Sequence, residues 1–322
     1  MFFLRLRMWM LVTVLFAILY AIVVVVGRVV FQSGGFMFYL FVSLAMMFLQ
    51  YLISPRIVEW SMRVKYVNRQ QYPRLFQMIE VLAAKAGIPT PRIGIAQIAI
   101  PNAFAFGRGI RDGRVCVTEG ILKLLNEDEL KAVLGHEITH IKNRDVLTIM
   151  LLSVIPILLY RLAWHFLFYG QRRDNRNQSA VLLGLAAFVF YFITNLLVLY
   201  ASRIREYFAD RGSVLLGNPS SSLASALYKL AYGSIRTDKG NLREVEGLKA
   251  FFINDPSRAT KEIRELAQLD WDKNGTIDSK ELEVLRQGRL QLSFADKVFE
   301  LLSTHPNMLK RIKRLSTYQY AV

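Results

Sequence analysis

The sequence predicts a mainly α protein with a small β-sheet, its water-facing part fused to about four transmembrane helices. Three observations carry that expectation. First, 53% of the 322 residues are apolar and the mean hydropathy is +0.28, too apolar for an ordinary soluble chain. Second, the apolar residues collect in runs at Met8–Gly27, Gly35–Ile53, Val146–Phe168 and Ser179–Ala201. A helix needs about 20 such residues to cross the hydrocarbon core. Third, the segments between and after these runs have helical spacing, with only short strand-like pieces.

The first run follows Arg5 and Arg7 and ends in Val23–Val26, and no small-residue cleavage site comes after it. The second run begins almost at once, so the pair reads as a retained hairpin and not as a cleaved leader. The third run is interrupted by Arg161 and His165 and bent by Pro156. It reads as a span or a membrane-dipping helix, with a buried helix of the water-facing part as the alternative. His165 reads as an interfacial residue. The fourth run carries no charge.

A formal net charge of +16 suits either nucleic acid or a membrane surface. No basic module with interleaved aromatics stands out, which argues against nucleic acid. Arg56, Arg63, Lys65 and Arg69 follow the second run, and Arg203, Arg205 and Arg211 follow the fourth. Such flanks stay in the cytoplasm, so the sequence points to a multi-pass protein of the cell (inner) membrane with its middle and C-terminal parts cytoplasmic. Arg172, Arg173 and Arg176, in the loop between the third and fourth runs, go against that rule. The lone Cys116 excludes an intramolecular disulfide and sits in an alternating Arg114–Thr118 segment, as a core cysteine would.

Helical spacing covers Tyr72–Ala86, ended by Gly87 and Pro89. Strand-like pieces follow at Arg92–Ile98, Ala103–Phe106 and Val115–Thr118. Asn126 then offers an N-cap, with Glu127, Asp128 and Glu129 in the first turn of a helix that shows no stop before the third run. Beyond the fourth run, Ser202–Gly212 continues as helix, and helical segments reach the C-terminus with breaks at Asn254–Pro256 and near Asp270. The expected organisation is a hairpin at 1–53, a cytoplasmic first half at 54–145, a second hairpin at 146–201 and a cytoplasmic second half at 202–322.

His136-Glu137-Ile138-Thr139-His140 is the strongest chemical signal, in a chain with four histidines. Residues i and i+4 share one helix face, so both imidazoles can bind one zinc ion, and Glu137 can take a proton from the attacking water. A catalytic zinc needs a third protein ligand. No histidine follows at the required spacing, and Glu206 in Ser202–Asp210 is the best carboxylate. Asp210, one turn later, can orient a ligand histidine from behind. His140 and Glu206 flank the third and fourth runs, so both runs or neither must cross, or the bilayer would separate the ligands.

His136–His140, the Ser-Arg-x-Arg-Glu-Tyr-x-Ala-Asp segment from Ser202, Thr304-His305-Pro306 and Arg311-Ile312-x-x-Leu315 together resemble the HtpX-type membrane proteases of the M48 peptidase family. Pro101–Ala105 resembles that family's strand beside the catalytic cleft. The resemblance spans nearly the whole chain. It implies a gluzincin metalloprotease domain with His136, His140 and Glu206 as zinc ligands. It also implies polypeptide substrates, above all misfolded or membrane proteins, met at an edge strand through Asn102, Ala103 and Phe104. By the same resemblance His305 binds the substrate carbonyl or its oxyanion; a helix-capping His-Pro turn is the other reading. A prenyl-protein protease of the Ste24 type, which has more spans, is a rival within the family. A calcium-binding membrane sensor with an inactive protease domain is a rival outside it, disfavoured by the intact Glu137.

Asp270–Glu281 fits a calcium-binding EF-hand loop, as part of an insert at about 257–289. Asp270, Asp272 and Asn274 take the first three ligand positions, and Gly275 the sharp turn. Thr276 offers its carbonyl, Asp278 fills the ninth position, and Glu281 is the bidentate ligand. Flanking helices are expected at Arg258–Leu269 and Ser279–Gln287. An acidic turn between two helices is the plain alternative, since EF-hands usually come in pairs and only one is visible.

Overall fold

The computed structural model describes residues 48–49, 51–98, 100–164, 166–167, 178–235, 269–272, 274–287, 298 and 300–318. The readings at Met8–Gly27, most of Gly35–Ile53, His165, the three loop arginines, Asn254–Pro256 and most of Arg258–Leu269 lie outside the described residues. The chain divides into two compact units, one of 1–52 with 147–204 and the other of 53–146 with 205–322.

A helix over 51–61 (α1), all but its first two residues in the second unit, leads into β1 (Val64–Tyr66). Helix α2 (Pro73–Ala86) has proline in its first turn and ends at Gly87, whose φ of 70° only glycine adopts cheaply. Strands β2 (Arg92–Ala96), β3 (Ala103–Phe106) and β4 (Arg114–Thr118) complete a sheet of order β1-β2-β4-β3. The β2–β4 pair is parallel and the other two pairs are antiparallel. β2 stops at Ala96, two residues short of the expected end, where the Ile98 N–H turns back to the Ala96 carbonyl. β1 carries no clear alternation and was not legible.

Strand alternation sends side chains to two cores. Ile93, Ile95, Val115, Val117 and Ala103 join the larger one, while Ala96, Cys116, Phe104 and Phe106 join Val58 and Met62 of α1 in the smaller. Cys116 is buried there, and burial drives its thiol well above the usual range.

A short helix α3 (Glu119–Leu124), capped by Thr118, precedes α4 (Glu127–Lys142). The Asn126 side chain accepts from the Glu129 N–H and Glu129 accepts from the Asn126 N–H, a full capping box. The expected uninterrupted run from α4 into the third apolar segment does not occur. The helix stops at Lys142, Asn143 caps it, and Arg144 takes a left-handed φ of 55° before α5 (Asp145–Trp164) starts. Helix α7 (Ser220–Ile235) packs on α4, and Lys229 and Ser225 both bond the buried Glu129 carboxylate. Helices α8 (Ser279–Gln287) and α9 (Met308–Ser316) close the larger core through Leu282, Leu285, Met308, Ile312 and Leu315.

The first unit contains most of α5 and the first part of α6 (Gln178–Leu215, 38 residues). Among the described residues, one helix is long and apolar enough to cross a membrane, that at Val181–Leu215. Only 22% of its most apolar window is buried, whereas the core helix of a soluble domain would be covered. Leu182, Val189 and Phe192 are all more than half exposed. Helix α5 contains Pro156.

Candidate metal centre

The site lies wholly in the second unit. Two reciprocal close approaches bring α4 and the last turns of α6 together. A Cβ on Gly135 would stand 2.4 Å from Asn218 Nδ2 and 2.8 Å from Ser213 Oγ, and one on Gly212 would stand 2.2 Å from Thr139 Cγ2. Each glycine thus makes room for the other helix. Ser213 Oγ adds a 2.6 Å bond to the Ala132 carbonyl. With the backbones this close, the short side chain of Glu206 reaches the His136–His140 face.

His136 Nε2 and His140 Nε2 are 3.1 Å apart. Glu206 Oε2 is 3.6 Å from the first, and Glu206 Oε1 is 3.6 Å from the second. A tetrahedral zinc with bonds of about 2.05 Å separates its ligand atoms by about 3.3 Å, so this triangle has the size of one face of such a site.

The outer ring nitrogens agree. His140 Nδ1 is 2.6 Å from Asp145 Oδ2, and His136 Nδ1 stands 2.9 Å from Asp210 Oδ1, in contact but off the straight hydrogen-bond line. Carboxylates at both Nδ1 atoms favour the Nδ1–H tautomer of the neutral rings, which turns both Nε2 atoms towards one point. At 3.1 Å the two Nε2 atoms are close enough to share a proton or to ligate one cation. The donor set therefore fits a divalent metal.

The surroundings set the charges. Arg311 is fully buried and donates to both Asp210 oxygens at 2.7 and 3.0 Å, while its third nitrogen is 3.1 Å from Glu206 Oε2. Arg205 Nε stands 3.1 Å from Asp145 Oδ1. Burial alone would lower the His136 imidazole, but Asp210 and Glu206 outweigh it and hold the metal-free ring up at about 9. Glu137, 3% exposed, is pushed up by burial; the two histidines and a backbone hydrogen bond from Ala105 act the other way. That bond places β3, the last strand of the sheet, beside Glu137.

The residues singled out from sequence fall in three places. His136, Glu137, His140, Glu206 and Asp210 converge, and His305 Nδ1 joins them 3.5 Å from Glu206 Oε2. Both His305 ring nitrogens are buried without a hydrogen-bond partner. The cap of α9 is Asn307, so His305 is not the capping residue. Asn102, Ala103 and Phe104 lie at the start of β3 with buried side chains, so a partner could meet only backbone there. Asp270, Asp272 and Glu281 gather separately, offering oxygens within 4.8 Å of one another. Gly275 makes the turn at φ 79°, and Ile277 anchors the loop in the core. The Asp270 carboxylate accepts from the Asn274 and Gly275 N–H groups and from the Tyr228 hydroxyl. Glu281 accepts from the Trp271 and Asp278 N–H groups. Sequence reasoning missed Asp145, Arg205 and Arg311 as parts of the centre.

The sequence pattern of Peptidase family M48 matches residues 69–319. The chain belongs to that family. It is a membrane metalloendopeptidase, and its His-His-Glu triad fits zinc. This M48 peptidase is 52% identical over 227 residues to a "Protease HtpX homolog" of Methanothermobacter thermautotrophicus, covering 70% of this chain and 85% of that one. It is 33% identical over 317 residues to a "Protease HtpX homolog" of Thermococcus sibiricus, covering 96% of both. Among solved structures it is similar in fold to S. mikatae Ste24p, with TM-score 0.51 and 16% identity, over 96% of this chain and 67% of that one.

Proposed function

We propose that this M48 peptidase cleaves misfolded or membrane proteins at a zinc centre on the cytoplasmic face of the inner membrane, anchored by about four spans. The observation that carries the chemistry is the convergence of His136, His140 and Glu206 with the unligated carboxylate of Glu137 beside them. The basic flanks of the second and fourth apolar runs support the cytoplasmic side.

His136, His140 and Glu206 are the zinc ligands in this reading, oriented by Asp210 and Asp145. Zinc, when bound, polarises the scissile carbonyl and acidifies water. Glu137 takes the proton of the attacking water and delivers it to the leaving amine. Its burial raises its proton affinity, which suits a group that must both accept and return a proton. His305, whose Nδ1 faces Glu206 at 3.5 Å and whose Nε2 has no hydrogen-bond partner, donates through Nε2 to the developing oxyanion. The backbone of β3 beside Glu137 holds an extended peptide by strand addition, starting near Asn102, Ala103 and Phe104. Replacing Glu137 by Gln should retain zinc and lower casein cleavage in detergent by about 10²–10⁴-fold. Undiminished cleavage would remove the role.

A second reading concerns the insert. The clustered Asp270, Asp272 and Glu281, with the glycine turn at Gly275, favour a calcium site completed by Asn274, the Thr276 carbonyl and Asp278. Trp271 is 55% exposed at its rim, so calcium titration should change its fluorescence. No response at millimolar calcium would dispose of this site and leave the zinc centre untouched. A prenyl-protein protease is the alternative substrate class, and a farnesylated peptide assayed beside casein separates the two.

A further inference from the structure

Helix α1 is apolar on two sides. Val58 and Met62 pack into the smaller core. Ile53, Ile57 and Trp60 lie on the opposite side at helical spacing, 39%, 53% and 84% exposed. Ile53 is also the last residue of the second apolar run of the sequence. Exposed Arg56 stands on the same side, where its stem can lie along the stripe while its head reaches out.

At the foot of α1 the chain turns through Arg63, at a left-handed φ of 49°, into the edge strand β1. Trp60, Ser61, Arg63, Lys65 and Gln97 line a cavity of about 740 Å³ there. Glu59 also borders it, but its charge is engaged: Arg114 Nε is 3.0 Å away and the Tyr66 hydroxyl donates to it. Arg63 and Lys65 have no carboxylate partner among the described residues. The cavity therefore carries net positive charge beside an exposed indole and an apolar stripe.

We propose that this cavity binds the phosphate of an anionic phospholipid through Arg63 and Lys65, while Ile53, Ile57 and Trp60 rest at the boundary between headgroups and acyl chains. Indole rings favour that depth. Basic side chains next to a span favour anionic lipid. A soluble acidic partner would be drawn by the charge but would gain nothing from a stripe that continues an apolar run of membrane-crossing length. Occupied, the site would pin the turn between α1 and β1, at the opposite edge of the sheet from the strand beside Glu137.

Native mass spectrometry of the full-length, zinc-loaded protein in detergent, with equimolar phosphatidylglycerol and phosphatidylcholine, tests the assignment. Retention of one phosphatidylglycerol in preference to phosphatidylcholine is expected. Arg63→Asn with Lys65→Thr, chosen to suit a left-handed turn and a strand, should weaken that retention on the order of tenfold with casein cleavage unchanged. As a readout on the wild-type fold, phosphatidylglycerol vesicles should blue-shift the part of the emission that Trp60→Phe removes. Equal retention of both lipids, or unchanged retention in the double variant, would overturn the proposal. Displacement of the lipid by millimolar inorganic phosphate alone would also overturn it, by assigning the cavity to a soluble anion.

Discussion

Asp145 shows how one side chain outside the ligand set can decide what a ligand does. His140 is only half-buried, and its Nε2 points at Glu206 because Nδ1 is held 2.6 Å from Asp145. Arg205 holds Asp145 in turn. Losing such an outer partner costs about 10–100-fold in metal affinity. Asp145→Ala should therefore weaken zinc binding by that factor in chelator competition, and Asp145→Asn, which keeps one acceptor, by less. Equal affinity in the alanine variant would show that His140 needs no support. His136, His140 and Glu137 were legible because helical spacing alone puts them together, and Glu206 and Asp210 because an incomplete HExxH demands a carboxylate elsewhere. Asp145 was not: five residues after His140 it would lie on another face of a continuous helix, and only the break at Asn143–Arg144 swings it back. Arg311 was visible only as part of a family pattern, since its pairing with Asp210 spans 101 residues.

Helices α4 and α6 meet through absences of side chain as much as through contacts. Gly212 in an otherwise good helix former costs about 1 kcal/mol of helix propensity relative to alanine. A Cβ there would meet Thr139 Cγ2 at 2.2 Å, inside a core whose overpacking costs about 1–3 kcal/mol. The clash outweighs the propensity, so Gly212→Ala should lower the thermal midpoint, and Thr139→Ala should relieve most of that loss in the double variant. A rise in the midpoint on Gly212→Ala alone would contradict the close approach. Periodicity found α2 and α4, and alternation between Gly and Pro breaks found β3 and β4, although those strands bury both faces. It missed β1 and α3, which are too short for a period to register, and it carried α4 past Lys142 because Asn143-Arg144-Asp145 has no glycine or proline to mark the stop.

At the scale of the whole chain, His136, His140 and Glu206 come from segments on either side of the third and fourth apolar runs, and the second unit is assembled from both, 53–146 and 205–322. The third and fourth apolar runs are thus an insertion within the unit that holds the triad, which the position of Glu206 beyond the fourth run already implied. The number of crossings was less legible, since hydropathy cannot separate a full span from a dipping helix at Val146–Phe168. The central claim is that His136, His140 and Glu206 hold one zinc ion, and elemental analysis of the purified full-length protein tests it most directly. About one zinc per chain is expected in the wild type and in Glu137→Gln, with near-complete loss in His140→Ala and in Glu206→Ala. Zinc retained at wild-type content in both ligand variants, or a wild type that cleaves casein without zinc, would contradict it.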